Sequence, residues 1–157
     1  SYRKVFGDII GDCSLLCPTM LFGQRIARDS NFANTFYSYR LDRRAVASIA
    51  MQCPFEWMGV CHAMDLPFTF GLPIRKDIVK LAFTNKDRHI SENVVRAWTR
   101  FAHTGNPEQM GDVEWPEFFG DNGKTMRQMA IDLKPHVFEN EYRDRCENFW
   151  INLLLPQ

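Results

Sequence analysis

Pro54-Phe-Glu-Trp-Met-Gly-Val-Cys-His-Ala-Met-Asp-Leu-Pro-Phe-Thr-Phe-Gly-Leu-Pro73 is the stretch that organises the chain. His62 stands at its centre, approached through Gly59, Val60 and Cys61 and followed by Asp65. Prolines and glycines at Pro54, Gly59, Pro67, Gly71 and Pro73 interrupt any regular element and predict a loop held by turn chemistry. Trp57, Met58, Met64, Phe68 and Phe70 are too apolar to be left in water, so the loop is expected to pack down on its surroundings. A histidine held in such a loop is an acid/base candidate, because its ordinary pKa of about 6.5 lets it take and return a proton near neutrality.

Outward from this loop, composition narrows the function classes. The 157 residues suffice for a compact domain with a real core, and 45% hydrophobic with 24% charged residues is ordinary for a globular protein. The formal net charge is zero. That argues against a nucleic-acid or acidic-membrane surface, which usually needs a basic excess. Arg40, Arg43 and Arg44 form the nearest thing to a basic patch, interrupted by Asp42 and read as a solvated strand end. No run of about 18 or more apolar residues is visible, so no transmembrane segment is expected. No signal peptide opens the chain, and the absence of an initial Met suits the tail of something longer. Five cysteines (Cys13, Cys17, Cys53, Cys61 and Cys146) and four histidines show no zinc-type spacing, so neither metal nor cofactor is expected. Disulfides with a leftover thiol would suit a secreted protein and five buried thiols a cytosolic one; composition leaves both open.

Element by element, residues 2–28 read as helix with a break near Gly11 and Asp12 as N-cap of the second part. Thr35 to Leu41 reads as a strand covered on both faces. Ala45 to Met51 reads as a loose helical turn and Arg75 to Lys86 as a lid-like linker. A helix over Ile90–Thr104 buries Val94, Ala97, Trp98, Phe101 and Ala102 and stops at Gly105. Residues 110–123 read as a surface loop, Met126 to Asp132 as a short edge strand, and Phe138 to Leu154 as a last helix. Strands alternating with helices define an α/β class. Two clear strands are too few for a stable sheet, so the chain is expected to be incomplete on its own.

The order of motifs resembles the C-terminal part of the cholinesterase/type-B carboxylesterase family of α/β-hydrolases. The matching pieces are Phe6-Gly-Asp, Cys17-Pro18, Tyr37-Ser-Tyr39, Glu56-Trp-Met-Gly-Val-Cys-His62 and Asp65-Leu-Pro-Phe-Thr-Phe-Gly71. They continue with Trp98-Thr-Arg-Phe-Ala-His-Thr-Gly-Asn-Pro107, Trp115-Pro116 and Cys146 before Phe149-Trp150. The resemblance implies an α/β-hydrolase fold, of which residues 1–157 are the C-terminal segment of a single domain: last strands of the central sheet with flanking helices.

The resemblance also implies a Ser–His–Glu/Asp triad with its histidine last in the chain, and His62 falls on that position as general base and acid. No serine here lies in a Gly-x-Ser-x-Gly elbow, so nucleophile and acid are expected upstream. Asp65 matches a position that is usually glutamate and tunes the site through a hydrogen-bond network. Met64 and Phe55 are candidate walls of the substrate pocket. Methionine at 64 suits a neutral apolar ester better than a cationic one, which an aromatic ring would favour. Cys17 and Cys146 match a pair that the family joins by a disulfide, which implies an oxidising, secretory or extracellular compartment. The expected partners are a small-molecule ester, the rest of the same domain and, through the last helix, a second copy. The alternative is a catalytically silent adhesion module of the neuroligin type, since such relatives keep the fold without hydrolysis.

Overall fold

The structure is a computed structural model, and it describes residues 2–31, 33–49, 52–75 and 82–154, the side chains of Asn122 and Leu154 excepted. The chain divides into two compact units. The first comprises Ser1–Ser38, Glu117–Gln128 and Phe138–Gln157, and the second Tyr39–Pro116 and Met129–Val137.

Helix α1 (Tyr2–Gly11) and helix α2 (Cys17–Asp29) open the first unit, joined without interruption by a π-helical turn at Asp12–Leu16. The expected break is therefore absent. Gly11 keeps helical dihedrals of φ −61° and ψ −46°, and the Asp12 side chain caps nothing. Asp12 is instead buried and pairs with Arg145 at 3.4 Å. Pro18 is accommodated by the π turn just before it, where the regular hydrogen-bond pattern is already relaxed. Taken as one element, Tyr2–Asp29 is a 28-residue helix with a window of mean hydropathy 1.5, long and apolar enough to cross a membrane. This is a property of length and averaged composition alone, where the sequence reading counted uninterrupted apolar residues. The same helix is tied to its own unit by polar and covalent links. Cys17 is disulfide-bonded to Cys146, and Gln24 donates to Glu147.

The core of the first unit gathers Cys17, Met20, Phe118, Met126, Cys146 and Trp150, with Phe36, Phe119 and Tyr142 against it. Phe36 packs edge-on to Phe118 with ring centroids 5.3 Å apart. The last helix is shorter than expected. His136–Glu139 forms strand β6, and Asn140 (φ +54°) turns the chain before a π-helical turn, Asp144–Trp150, leads into helix α5 (Ile151–Leu154). Phe138 is thus a strand residue, while Phe149 and Leu153 are exposed. Asn140 closes the ladder, donating its backbone N–H to Met126 O at 2.9 Å and accepting the Met126 N–H on its side chain at 3.0 Å.

Strand β5 (Thr125–Ile131) runs through both units. It is a paired, largely buried strand rather than the expected short edge strand. In the first unit it pairs antiparallel with β4 (Phe119–Gly120), and in the second it pairs parallel with β1 (Tyr39–Leu41), Tyr39 opposite Met129 and Leu41 opposite Ile131. β6 also pairs with β5. The result is a mixed sheet with helices, the α/β class. β1 is only three residues long, and its predicted first half, residues 35–38, stays outside the ladder. There the Phe36 carbonyl accepts one bond from Phe118 N at 2.6 Å, and Ser38 accepts one from Gln128 at 2.8 Å.

The second unit is built on helix α4 (Asn85–Thr104), which starts earlier than the apolar periodicity indicated. Thr84 is its N-cap in a capping box with Asp87, and Gly105 (φ +76°) ends it in the left-handed conformation. Ile90, Val94 and Ala97 face inward, whereas Phe101 and Ala102 are exposed. Of the supposed linker, residues 76–81 lie outside the described residues, as do 50 and 51 of the turn over 45–51; that turn appears as a 3-10 segment, Val46–Ile49. Residues 110–116 do not form a plain surface loop: β2 (Gln109–Met110) and β3 (Val113–Glu114) make a hairpin that buries Met110 and leads to buried Trp115.

Candidate functional site

The histidine loop lies wholly in the second unit. Gln52 (φ +63°) turns the chain into Cys53, whose side chain forms a disulfide with Cys61, eight residues on. Between them a 3-10 turn, Glu56–Met58, ends at Gly59 (φ +64°). His62 follows directly, and Ala63 (φ +66°) bends the backbone again before helix α3 (Leu66–Thr69). Pro67 occupies the first turn of α3, where no intrahelical donor is needed. Phe68 is fully buried, packs edge-on to Phe83, and gives its carbonyl to the buried Ser91 hydroxyl of α4 at 2.8 Å. This contact anchors the far end of the loop on a long helix.

His62 itself is exposed, and among the described residues no hydrogen bond reaches its ring. Asp65, three residues on, makes no bond to it. The Asp65 carboxylate accepts the Tyr39 hydroxyl at 2.6 Å. Tyr39 is the missing partner that sequence reasoning did not find. Burial pushes its phenol far up, and the hydrogen bond to Asp65 adds to this, so the hydroxyl keeps its proton well into the alkaline range. Its ring is fixed edge-on against Trp98 (4.8 Å) and Trp115 (6.2 Å), which themselves meet at 5.5 Å. The indole N–H of Trp115 is buried with no hydrogen-bond partner among the described residues.

The two pocket candidates separate. Met64 is buried, whereas Phe55 is exposed and stacks on Trp57 with centroids 6.2 Å apart. The three arginines read as a solvated strand end are each engaged. Arg40 pairs with Asp42 at 2.5 Å and Arg43 with Asp87 at 2.6 Å. Arg44 donates to the carbonyls of Gly59 (2.7 Å) and Cys53 (2.8 Å), bridging both ends of the disulfide loop. Arg44 and Cys53 were thus also missed. The signal available was two cysteines bracketing a proline- and glycine-bearing segment immediately before the histidine.

In the first unit, Cys17 and Cys146 are joined by a disulfide with a sequence separation of 129, and Cys13 is free. Among the described residues no group of three or more His, Cys, Asp or Glu side chains could hold a metal. His89, His103 and His136 are all exposed.

The helices and the mixed sheet are consistent with a partial α/β-hydrolase fold. A model of the carboxylesterase family matches residues 1–150, and the chain belongs to that family. It is 30% identical to an acetylcholinesterase of Bungarus fasciatus and 33% identical to a cholinesterase of Mus musculus, each over 99% of this chain. An acetylcholinesterase of Gallus gallus is 30% identical over 97% of it. The chain spans only 24%, 24% and 18% of the lengths of these three relatives, respectively.

Proposed function

We propose that this chain supplies the acid–base histidine of a serine-type carboxylic-ester hydrolase whose nucleophile, acidic partner and oxyanion hole are encoded upstream. The two compact units are then parts of one hydrolase domain. The observation that carries the reading is His62: an exposed imidazole with no hydrogen-bond partner among the described residues, at the centre of a loop pinned by a disulfide at one end and by Phe68 at the other. In the reaction, Nε2 of His62 removes the proton of the serine hydroxyl as its oxygen attacks the ester carbonyl. It then returns that proton to the departing alcohol, and the cycle repeats with water as nucleophile on the acyl-enzyme. Nδ1–H needs a carboxylate to hold the ring in the right tautomer. Asp65 is not that group, because its carboxylate is engaged by Tyr39; it acts by fixing the turn that follows the histidine. Met64 would present an apolar wall to a neutral ester, and Phe55 an exposed aromatic rim.

Two disulfides support an oxidising compartment, and we place the protein in the secretory pathway or outside the cell. Exposed Phe149 and Leu153 offer a surface that a second copy could cover.

Fluorophosphonate labelling of the full-length protein tests the reading, since only an activated serine reacts. We expect one labelled serine in the wild type and a labelling rate lower by about a thousandfold in His62→Gln. A wild-type protein in which no serine is labelled would overturn the esterase reading and favour the silent adhesion module.

A further inference from the structure

We propose that the Cys53–Cys61 disulfide, together with Arg44, is the positioning device of His62, and that reduction of this bond by a dithiol switches the histidine out of its working place. The inference rests on the acid–base role of His62 proposed above. Cys61 is covalently adjacent to His62, so whatever fixes Cys61 fixes the backbone from which the imidazole projects. The disulfide joins it to Cys53, a fully buried residue whose N–H donates to Ser48 O at 3.0 Å. The Arg44 guanidinium then clamps the carbonyls of Cys53 and Gly59 from one planar fork.

The backbone shows why such a clamp is needed. Gln52 and Ala63 flank the disulfide loop, and both carry side chains in the left-handed region, at φ +63° and +66°. Each such residue is strained and persists only where its surroundings over-determine it. Cutting the disulfide removes one of those constraints one residue from His62. The chain then has room to return Ala63 to an ordinary conformation, which swings the imidazole away from its reacting partner.

The two disulfides differ in their access to a reductant. Cys17 and Cys146 are both fully buried, whereas Cys61 is only partly covered. Attack therefore falls on Cys61: a thiolate of the dithiol bonds to its sulfur, the S–S bond breaks, and the Cys53 sulfur leaves and takes a proton. The second thiol of the reductant displaces the Cys61 sulfur. The products are two protein thiols and one oxidised dithiol, a two-electron exchange that an oxidant reverses.

The test uses the full-length protein and measures hydrolysis of a neutral aryl ester beside thermal unfolding. For the C53S/C61S double variant we expect kcat to fall by about a hundredfold, as for a catalytic group displaced by an ångström, while KM stays within about twofold. Wild type treated with a mild dithiol should lose activity in step with the appearance of free Cys53 and Cys61 by mass mapping, and regain it on reoxidation. A disulfide that merely stabilises the fold would lower the melting temperature and leave kcat of the folded protein unchanged; that result overturns the proposal. If the double variant does not fold, the wild-type titration decides, and full activity with the pair reduced overturns it equally. His62→Gln separates the two levels of the argument. If it too keeps full kcat, the acid–base reading fails; if it is inactive while C53S/C61S is not, only the positioning role fails.

Discussion

Asp87 offers the sharpest stability prediction. Its side chain is fully buried and serves two structures at once. Oδ1 accepts the Arg43 guanidinium at 2.6 Å, while Oδ2 accepts the Thr84 N–H and hydroxyl, each at 2.7 Å. Burial pushes the carboxyl pKa up, but Arg43 and the two Thr84 donors outweigh it and hold it below the usual carboxylate range. Asp87→Ala deletes the capping box and strands the guanidinium. Breaking a buried pair from one side costs about 3–5 kcal/mol, and because Arg43 is 21% exposed and partly rehydrates, the lower end, about 3 kcal/mol, applies. Asp87→Asn keeps the shape but gives up the charge, and should cost about half as much.

Amide hydrogen exchange over α4 in the full-length protein reads this out, because it reports the opening free energy of that helix rather than of the whole molecule. The pH dependence adds a sign. The pKa is depressed in the fold, so the stabilisation is complete above the unfolded value of about 3.9 and disappears as pH falls through the folded value. The gap between wild type and Asp87→Asn should therefore close only in acid. If α4 amides in Asp87→Ala are protected to within about 0.5 kcal/mol of wild type, the capping-box and ion-pair argument is refuted.

Three further outcomes are expected. Serine at Cys17 and Cys146 should cost about 5 kcal/mol in the chain-entropy model, against about 2.5 kcal/mol for Cys53 and Cys61, because the loops closed differ so much in length; denaturant unfolding of each double variant should rank them so. Gly23→Ala places a methyl group 2.7 Å from the Phe36 ring, which is wedged against Phe118, and should destabilise by about 1–3 kcal/mol in the same assay. Tyr39→Phe leaves the half-buried Asp65 carboxylate without its donor and should cost about 1–3 kcal/mol in thermal unfolding at neutral pH. Because the Tyr39 pKa is raised in the fold, its contribution is complete below the ordinary tyrosine value of about 10 and fades as pH climbs beyond it, so the variant should approach wild type in strong base.

Legibility from sequence followed the range of the interactions. The C-terminal end of α4 was readable because Gly105 and Pro107 act on their own neighbours. Its start was missed although Thr84 and Asp87 spell a capping box, because the apolar stripe begins only at Ile90. Strand β5 was found but assigned to the edge, since nothing local tells a strand how many neighbours it has. Phe138 was given to the last helix because aromatic spacing fits both elements, and the left-handed turn at Asn140 was not anticipated.

The sequence by itself determined that His62 sits in a proline-bounded apolar loop of an α/β protein, and the order of its motifs carried the resemblance to carboxylesterases. The first reading rests on local chemistry (turn residues, periodicity and spacing), the second on the likeness of the motifs themselves to those of the family. Only the tertiary structure decided that Tyr39 engages Asp65, that Arg44 clamps the loop, and that Cys53 rather than Cys13 pairs with Cys61. Such contacts depend on where β1, its following turn and the loop come to rest against one another, and no local pattern encodes that. In three dimensions the segment leading to His62 is closed by a disulfide that ends one residue before it.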